Sequence, residues 1–120
     1  MGKGYKDLLV WQKARDLAVL IYSITNQAKF KKDYALCDQV RRSVVSVPSN
    51  IAEGDERDTD KESVHLFFIA KGSLAELRTQ MDIAYQVGYI DENVFLDIED
   101  KAIQIGKMLG ALIKVRTLGR

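Results

Sequence analysis

The sequence predicts an all-α protein, an antiparallel up-down four-helix bundle, and three observations carry that prediction. Apolar residues recur at alternating steps of three and four along four stretches of the 120-residue chain. Period-two alternation, the mark of a half-buried strand, is nowhere sustained. A single proline is present, so long regular elements meet few breaks, and the short connections between them favour antiparallel neighbours.

The first helix is expected over about residues 8–26, where Val10, Ala14, Leu17, Ile21 and Ile24 share one face. Trp11, Ala18 and Tyr22 form a second apolar stripe beside it. A second helix over 34–54 starts behind Asp33, an N-cap residue, and turns Leu36, Val40, Val44, Val47 and Ile51 to the core. Pro48 lies inside it and removes a backbone donor, which predicts a kink, and Gly54 offers an exit. The third helix, 60–87, opens on the capping box Thr59-Asp60-Lys61-Glu62 and stops at Gly88. The fourth, 92–116, is capped by Asp91 and keeps a heptad rhythm in Phe95, Ile98, Ala102, Ile105, Leu109 and Leu112. No linker or repeat divides the chain, so residues 1–120 read as one domain.

Two apolar stripes exceed what one bundle needs. Ile103, Gly106, Gly110 and Ile113 make a second face on the fourth helix. A glycine in a helix interior costs about 1 kcal/mol relative to alanine, and close approach by another helix is the usual compensation. Together with Trp11, Ala18 and Tyr22, this face is the expected subunit interface of a homo-oligomer; the alternative is a broad core-facing surface on both helices.

Composition narrows the function classes. Hydrophobic residues at 47% and charged residues at 29% describe a globular chain. Cys37 has no second cysteine to pair with and sits in a helical pattern, so it reads as a small buried hydrophobe. No run of about 20 apolar residues offers a membrane span, the N-terminus lacks a signal-peptide core, and a cytoplasmic location is expected. Net charge is +1 but uneven: residues 1–42 and 101–120 are each +5 and residues 43–100 are −9. If the first and last helices are neighbours, a basic face results; solvated helix surfaces produce the same blocks.

A polar stripe also runs along the second helix: Gln39, Arg42, Ser43, Ser46, Asn50 and Glu53. Gly72, Ser73, Glu76 and Gln80 are its counterparts on the third. Short side chains there suit an interhelical hydrogen-bond network of Arg42, Ser46, Asn50, Glu53, Ser73 and Glu76, with Arg41 or Arg42 paired to Glu76. The alternative is that Arg41, Arg42 and Arg57 face out and bind an anion or nucleic acid.

Three segments carry a family resemblance. They are Asp7-Leu8-Leu9-Val10-Trp11-Gln12-Lys13-Ala14, the run from Gln39-Val40-Arg41-Arg42-Ser43 through Ser46-Val47-Pro48-Ser49-Asn50-Ile51-Ala52-Glu53-Gly54, and Ile69-Ala70-Lys71-Gly72-Ser73-Leu74-Ala75-Glu76-Leu77. The chain, from about Tyr5 to Leu118, resembles the four-helix-bundle family named for proteins encoded in intervening sequences of bacterial 23S ribosomal RNA genes, also labelled S23 ribosomal proteins. That family often has Phe-Pro where this chain has Phe30-Lys31. The resemblance implies a homo-oligomer, a pentamer, and kinship with accessory proteins of diversity-generating retroelements, which associate with a reverse transcriptase and its RNA. Those relatives are strongly basic, whereas this chain has a pI near 7.8.

No catalytic apparatus is legible. Glu62 and His65 have the Glu-x-x-His spacing of di-iron bundles, but a second such pair cannot exist with one histidine. Gly2-Lys3-Gly4 lacks phosphate-loop spacing. The expectation is therefore a non-catalytic oligomeric module without cofactor or metal, binding structured RNA or an RNA-associated protein. Lys29, Lys31, Lys32, Arg41 and Arg42 are the first candidate contacts, with Lys107, Lys114 and Arg116 a second group. The alternative is a protein-interaction scaffold that does not touch nucleic acid.

Overall fold

The computed structural model describes residues 4–118. Six helical elements follow one another: a 3-10 turn at Gly4–Asp7, α1 (Leu9–Thr25), α2 (Ala28–Lys31), α3 (Tyr34–Asp55), α4 (Asp60–Gln86) and α5 (Glu92–Leu118). The four long ones are the predicted helices. The 3-10 turn and the single-turn α2 were not predicted.

The caps follow the residues that announce them. Asp33 accepts the Leu36 amide at 3.0 Å and so satisfies one of the orphan donors of α3. Thr59 does the same for the Glu62 amide, and its hydroxyl donates to the Glu62 carboxylate. Asp91 accepts the Val94 amide ahead of α5. At the end of α4, Gly88 adopts φ +87°, a conformation that side-chain-bearing residues resist. The Tyr89 amide then reaches Ala84 O and the Gly88 amide reaches Tyr85 O, the paired bonds of a Schellman stop. Helix α1 has no side-chain cap. Its start is held instead by the 3-10 turn, with Gln12 Nε2 donating to Lys6 O at 2.7 Å.

Side-chain contacts between helices fix their directions. Tyr89, just past α4, donates to Asp33 at the head of α3, so these neighbours run oppositely. Arg78 late in α4 pairs with Glu99 early in α5, which makes that pair antiparallel too. Arg116 and Asp55 join the tails of α5 and α3, which therefore run the same way across the bundle. Helices of 27 residues (~40 Å at 1.5 Å per residue) must then lie along the 47 Å long axis.

Most of the core is where the period placed it, while Leu36, Phe95 and Leu112 are only partly buried against it. Val10, Ala14, Leu17, Ile21 and Ile24 of α1 meet Val40, Val44, Val47 and Ile51 of α3. Phe67, Leu74, Leu77 and Met81 of α4 and Ile98, Ala102, Ile105 and Leu109 of α5 close it. Gly54 plays a different part from the exit expected of it. Helix α3 continues through Pro48 to Asp55, and Gly54 lies inside it. A Cβ there would stand 2.6 Å from the Phe67 ring, so glycine is what lets α4 come close. Gly72, in the polar stripe of α4, has nothing within 4 Å of a built Cβ.

Candidate interaction surfaces

The first surface is the elbow between α1 and α3. Phe30 is fully buried, and its ring packs on Tyr89 at 5.4 Å between centroids. That anchor leaves Lys29, Lys31 and Lys32 exposed around it. None of the three side chains has a hydrogen bond or ion pair among the described residues. The acid beside them is occupied twice, since Asp33 accepts the Leu36 amide on one oxygen and the Tyr89 hydroxyl at 2.9 Å on the other. The hydrogen bond to Asp33, more than the burial and charge that add to it, raises the Tyr89 phenol above its ordinary value of 10.0. Cys37 is buried against the same elbow, its Sγ 3.0 Å from Phe30 O. Burial raises the thiol above 9.0, Arg41 opposes that and Asp33 adds to it, so the group is kept as the unreactive thiol.

The remaining predicted basic contacts separate from these lysines. Arg41 is half-buried, donates to Thr25 Oγ1 at 2.9 Å and lies over the Tyr22 ring; it braces α3 against α1 and is not a free cation. Arg116 is further from that role. It pairs with Asp55 at 2.8 Å, the side chains 15% and 16% exposed, and its guanidinium covers the Phe67 ring. Arg42 is exposed and paired one turn back with Asp38. Lys107 and Lys114 are exposed on α5, Lys114 near the end of the bundle opposite the elbow. Among the described residues, the basic side chains of the two end segments therefore do not merge into one face. Where α1 and α5 do meet, the cleft is lined by Lys13, Asp16, Asp100 and Lys101, a mixed set.

The polar seam between α3 and α4 forms in part. Ser46 Oγ and Ser73 Oγ lie 2.9 Å apart, and Asn50 Nδ2 donates to both Ser46 O and Ser46 Oγ. Arg42 and Glu53 are not members, because each meets an oppositely charged residue four positions away, Asp38 on the same helix and Arg57 just past its end. Glu76 is exposed and meets neither Arg41 nor Arg42. The local i,i+4 partner outcompetes the distant one since it costs less side-chain ordering.

Two apolar clefts are also present. Between α1 and α3 runs a groove of about 460 Å³ lined by Trp11, Ala18, Val19, Tyr22, Val45 and Pro48 among others. Tyr5 closes one end, edge-on to Trp11 at 5.1 Å. Val19, Tyr22 and Val45 are large apolar side chains left 64%, 44% and 41% exposed. On the other side of the bundle, between α4 and α5, a cleft is lined by Ala75, Ile103, Gly106 and Gly110, with Lys71 and Lys107 at its rim. Phe68, 54% exposed, precedes Lys71 and Ala75 by three and seven residues and so shares that side of α4. Of the predicted interface residues, Trp11 and Tyr22 line the first groove, and Ile103, Gly106 and Gly110 the second. Ala18 lines the first groove as well, and both it and Ile113 are only 9% exposed, packed in the protomer's own core. Ala18 floors the groove, and Ile113 is turned fully inward because it continues the 98–102–105–109 stripe.

The fold has relatives. A family model described as 23S rRNA-intervening sequence protein matches residues 6–111. This chain belongs to that family. A crystal structure of a protein of unknown function from the S23 ribosomal protein family of Bacteroides thetaiotaomicron VPI-5482 superposes with a TM-score of 0.81. Identity is 23%, over 88% of this chain and 99% of the other, a likeness of fold. No curated protein matches. For a 23S rRNA-intervening sequence protein, the surfaces above are what this member presents. No group of three or more His, Cys, Asp or Glu side chains gathers as a metal site among the described residues, and no described helix is long and apolar enough to cross a membrane. Sequence reasoning missed the Phe30 anchor, the Tyr89–Asp33 bond and the Arg116–Asp55 clasp. Only the first left a signal, a lone aromatic among lysines.

Proposed function

We propose that this family member is a non-catalytic assembly module of the cytoplasm, in which copies of the bundle join through their two apolar clefts. The observation that carries the reading is the α1/α3 groove, with Val19, Tyr22 and Val45 left open along it. A second copy is the occupant argued for, because the chain carries its own counterpart. The α4/α5 side, with Phe68, Ile103, Gly106 and Gly110, lies across the bundle from the groove. Contact between two different patches of identical subunits is heterologous, and it closes into a ring when the rotation allows. A ring of five agrees with what the family resemblance implies. The half-buried glycines of α5 would let the neighbour's backbone come near, offsetting their cost in helix propensity.

Such an assembly repeats the Lys29–Lys31–Lys32 elbow once per subunit, which multiplies weak contacts by avidity. The partner we assign to it is structured RNA or an RNA-associated protein. Free lysines on a rigid anchor favour this reading over a scaffold without nucleic acid. The direct test uses Val19→Glu and Gly106→Leu, one in each cleft, with native mass as the readout. Both substitutions lie outside the core, and both should lower the mass of the assembly while the helical content stays. Unchanged mass in both variants would overturn the interface.

A further inference from the structure

We infer that the α2 elbow is a contact site for an unpaired RNA strand, with Tyr34 as the stacking platform. This rests on the RNA reading above and adds which form of RNA the elbow takes. Tyr34 is 82% exposed, the most exposed of the large apolar and aromatic side chains. It stands at the first position of α3, directly after Lys29, Lys31, Lys32 and the cap Asp33. Its ring makes none of the aromatic contacts that hold Tyr5, Tyr85 and Tyr89. Its position at the bundle end leaves both the ring and the lysines open to solvent together.

The chemistry of that arrangement selects a strand with splayed bases. Every base offers a π-face to an aromatic ring, while lysine ammonium groups track phosphates without reading sequence. In A-form duplex RNA the bases are stacked on each other and unavailable to a side chain. The elbow is also rigid, since Phe30 is fully buried and Asp33 is held by both the Leu36 amide and Tyr89. Little ordering is then required when a strand arrives. Asp33, the one acid in the segment 26–37, has both oxygens engaged and turned to its own fold.

The test is fluorescence anisotropy of the full chain with a roughly 12-nucleotide oligouridylate, a span of ordinary single-strand sites, and with a duplex of the same length, at low and physiological salt. The oligouridylate should bind more tightly than the duplex. Tyr34→Ala should weaken it about tenfold, the scale of one lost stacked base, while Tyr34→Phe should retain affinity. Three lysine–phosphate contacts should give a log–log salt slope of about −2 on a single strand, flattened when Lys29, Lys31 and Lys32 are all replaced by alanine. Equal or tighter duplex binding with Tyr34→Ala unaffected would overturn this inference and leave an RNA module standing. Absence of binding to either RNA would overturn both. Thermal melting of each variant separates lost contact from lost fold.

Discussion

At Gly54 one hydrogen atom in place of a methyl group decides how closely α3 and α4 can lie. A Cβ there would meet Phe67 Cε1 at 2.6 Å and Ser63 O at 3.2 Å, and Phe67 is fully buried with nowhere to retreat. Ser63 Oγ meanwhile donates to Gly54 O at 2.7 Å, closing the same contact. Gly54→Ala should therefore destabilise the protein by about 1–3 kcal/mol, the overpacking cost, even though alanine is the better helix former. Gly72→Ala is the control. Its Cβ meets nothing, so denaturant unfolding should show stability unchanged or raised by up to about 1 kcal/mol. Equal effects in the two variants would contradict the close approach. In the sequence Gly54 reads as a helix exit and Gly72 as part of a polar stripe, and neither reading tells which one a neighbouring ring touches. Arg41 and Arg116 were illegible for a similar reason. A sequence reveals a cation, while the hydroxyl, ring or carboxylate that occupies it comes from 16 and 61 positions away.

At the scale of elements, period and caps were legible because they are local. Asp33, Thr59, Asp91 and Gly88 each act within three or four residues of themselves, and the apolar stripes follow from the helical turn. How helix ends are tied to one another is non-local. The Arg116–Asp55 clasp joins two elements that are not consecutive, and both side chains are about six-sevenths covered. Removing one partner strands the other, so Arg116→Ala should cost about 1.5–3 kcal/mol, the range for a hydrogen bond to a charged group. Asp55→Ala should cost a similar amount, and the double variant less than the sum in a double-mutant cycle. Additive costs would mean the clasp contributes nothing.

The second tie, Arg78 with Glu99, predicts a pH dependence. The hydrogen bonds from Arg78 hold the Glu99 carboxyl below its ordinary 4.5, burial works against them, and the guanidinium charge adds to the lowering. Fewer protons are bound folded than unfolded, so the pair's contribution is complete above the unfolded value. It is lost as pH falls through the lower folded value. Partial exposure of both side chains keeps it under about 1 kcal/mol. Glu99→Gln should narrow the stability difference from the wild type as urea unfolding is repeated from neutral to acid pH. A difference that stays constant across that range would contradict the assignment.

The whole molecule carries two apolar clefts on opposite sides and a basic elbow at one end. The four long helices of an all-α bundle were legible, since buried stripes of that regularity admit few other arrangements, whereas the 3-10 turn and α2 were not. The surfaces were legible only in outline. Trp11, Tyr22, Ile103, Gly106 and Gly110 stand out as apolar or small residues beyond the first core stripe. Whether such a residue fills its own core, as Ala18 and Ile113 do, depends on the width of the neighbouring helices' faces, which periodicity does not supply. Val19 and Val45, among the most open residues of the groove, carry no distinguishing pattern at all.

Self-assembly is the claim on which the rest depends, and the native mass of the purified chain tests it most directly. Sedimentation equilibrium across a concentration series should give one species at an integer multiple of the 13.6 kDa chain, with five copies the expected ring, and Val19→Glu should shift it towards the protomer. A single species at the mass of one chain, over the whole series, would contradict the account.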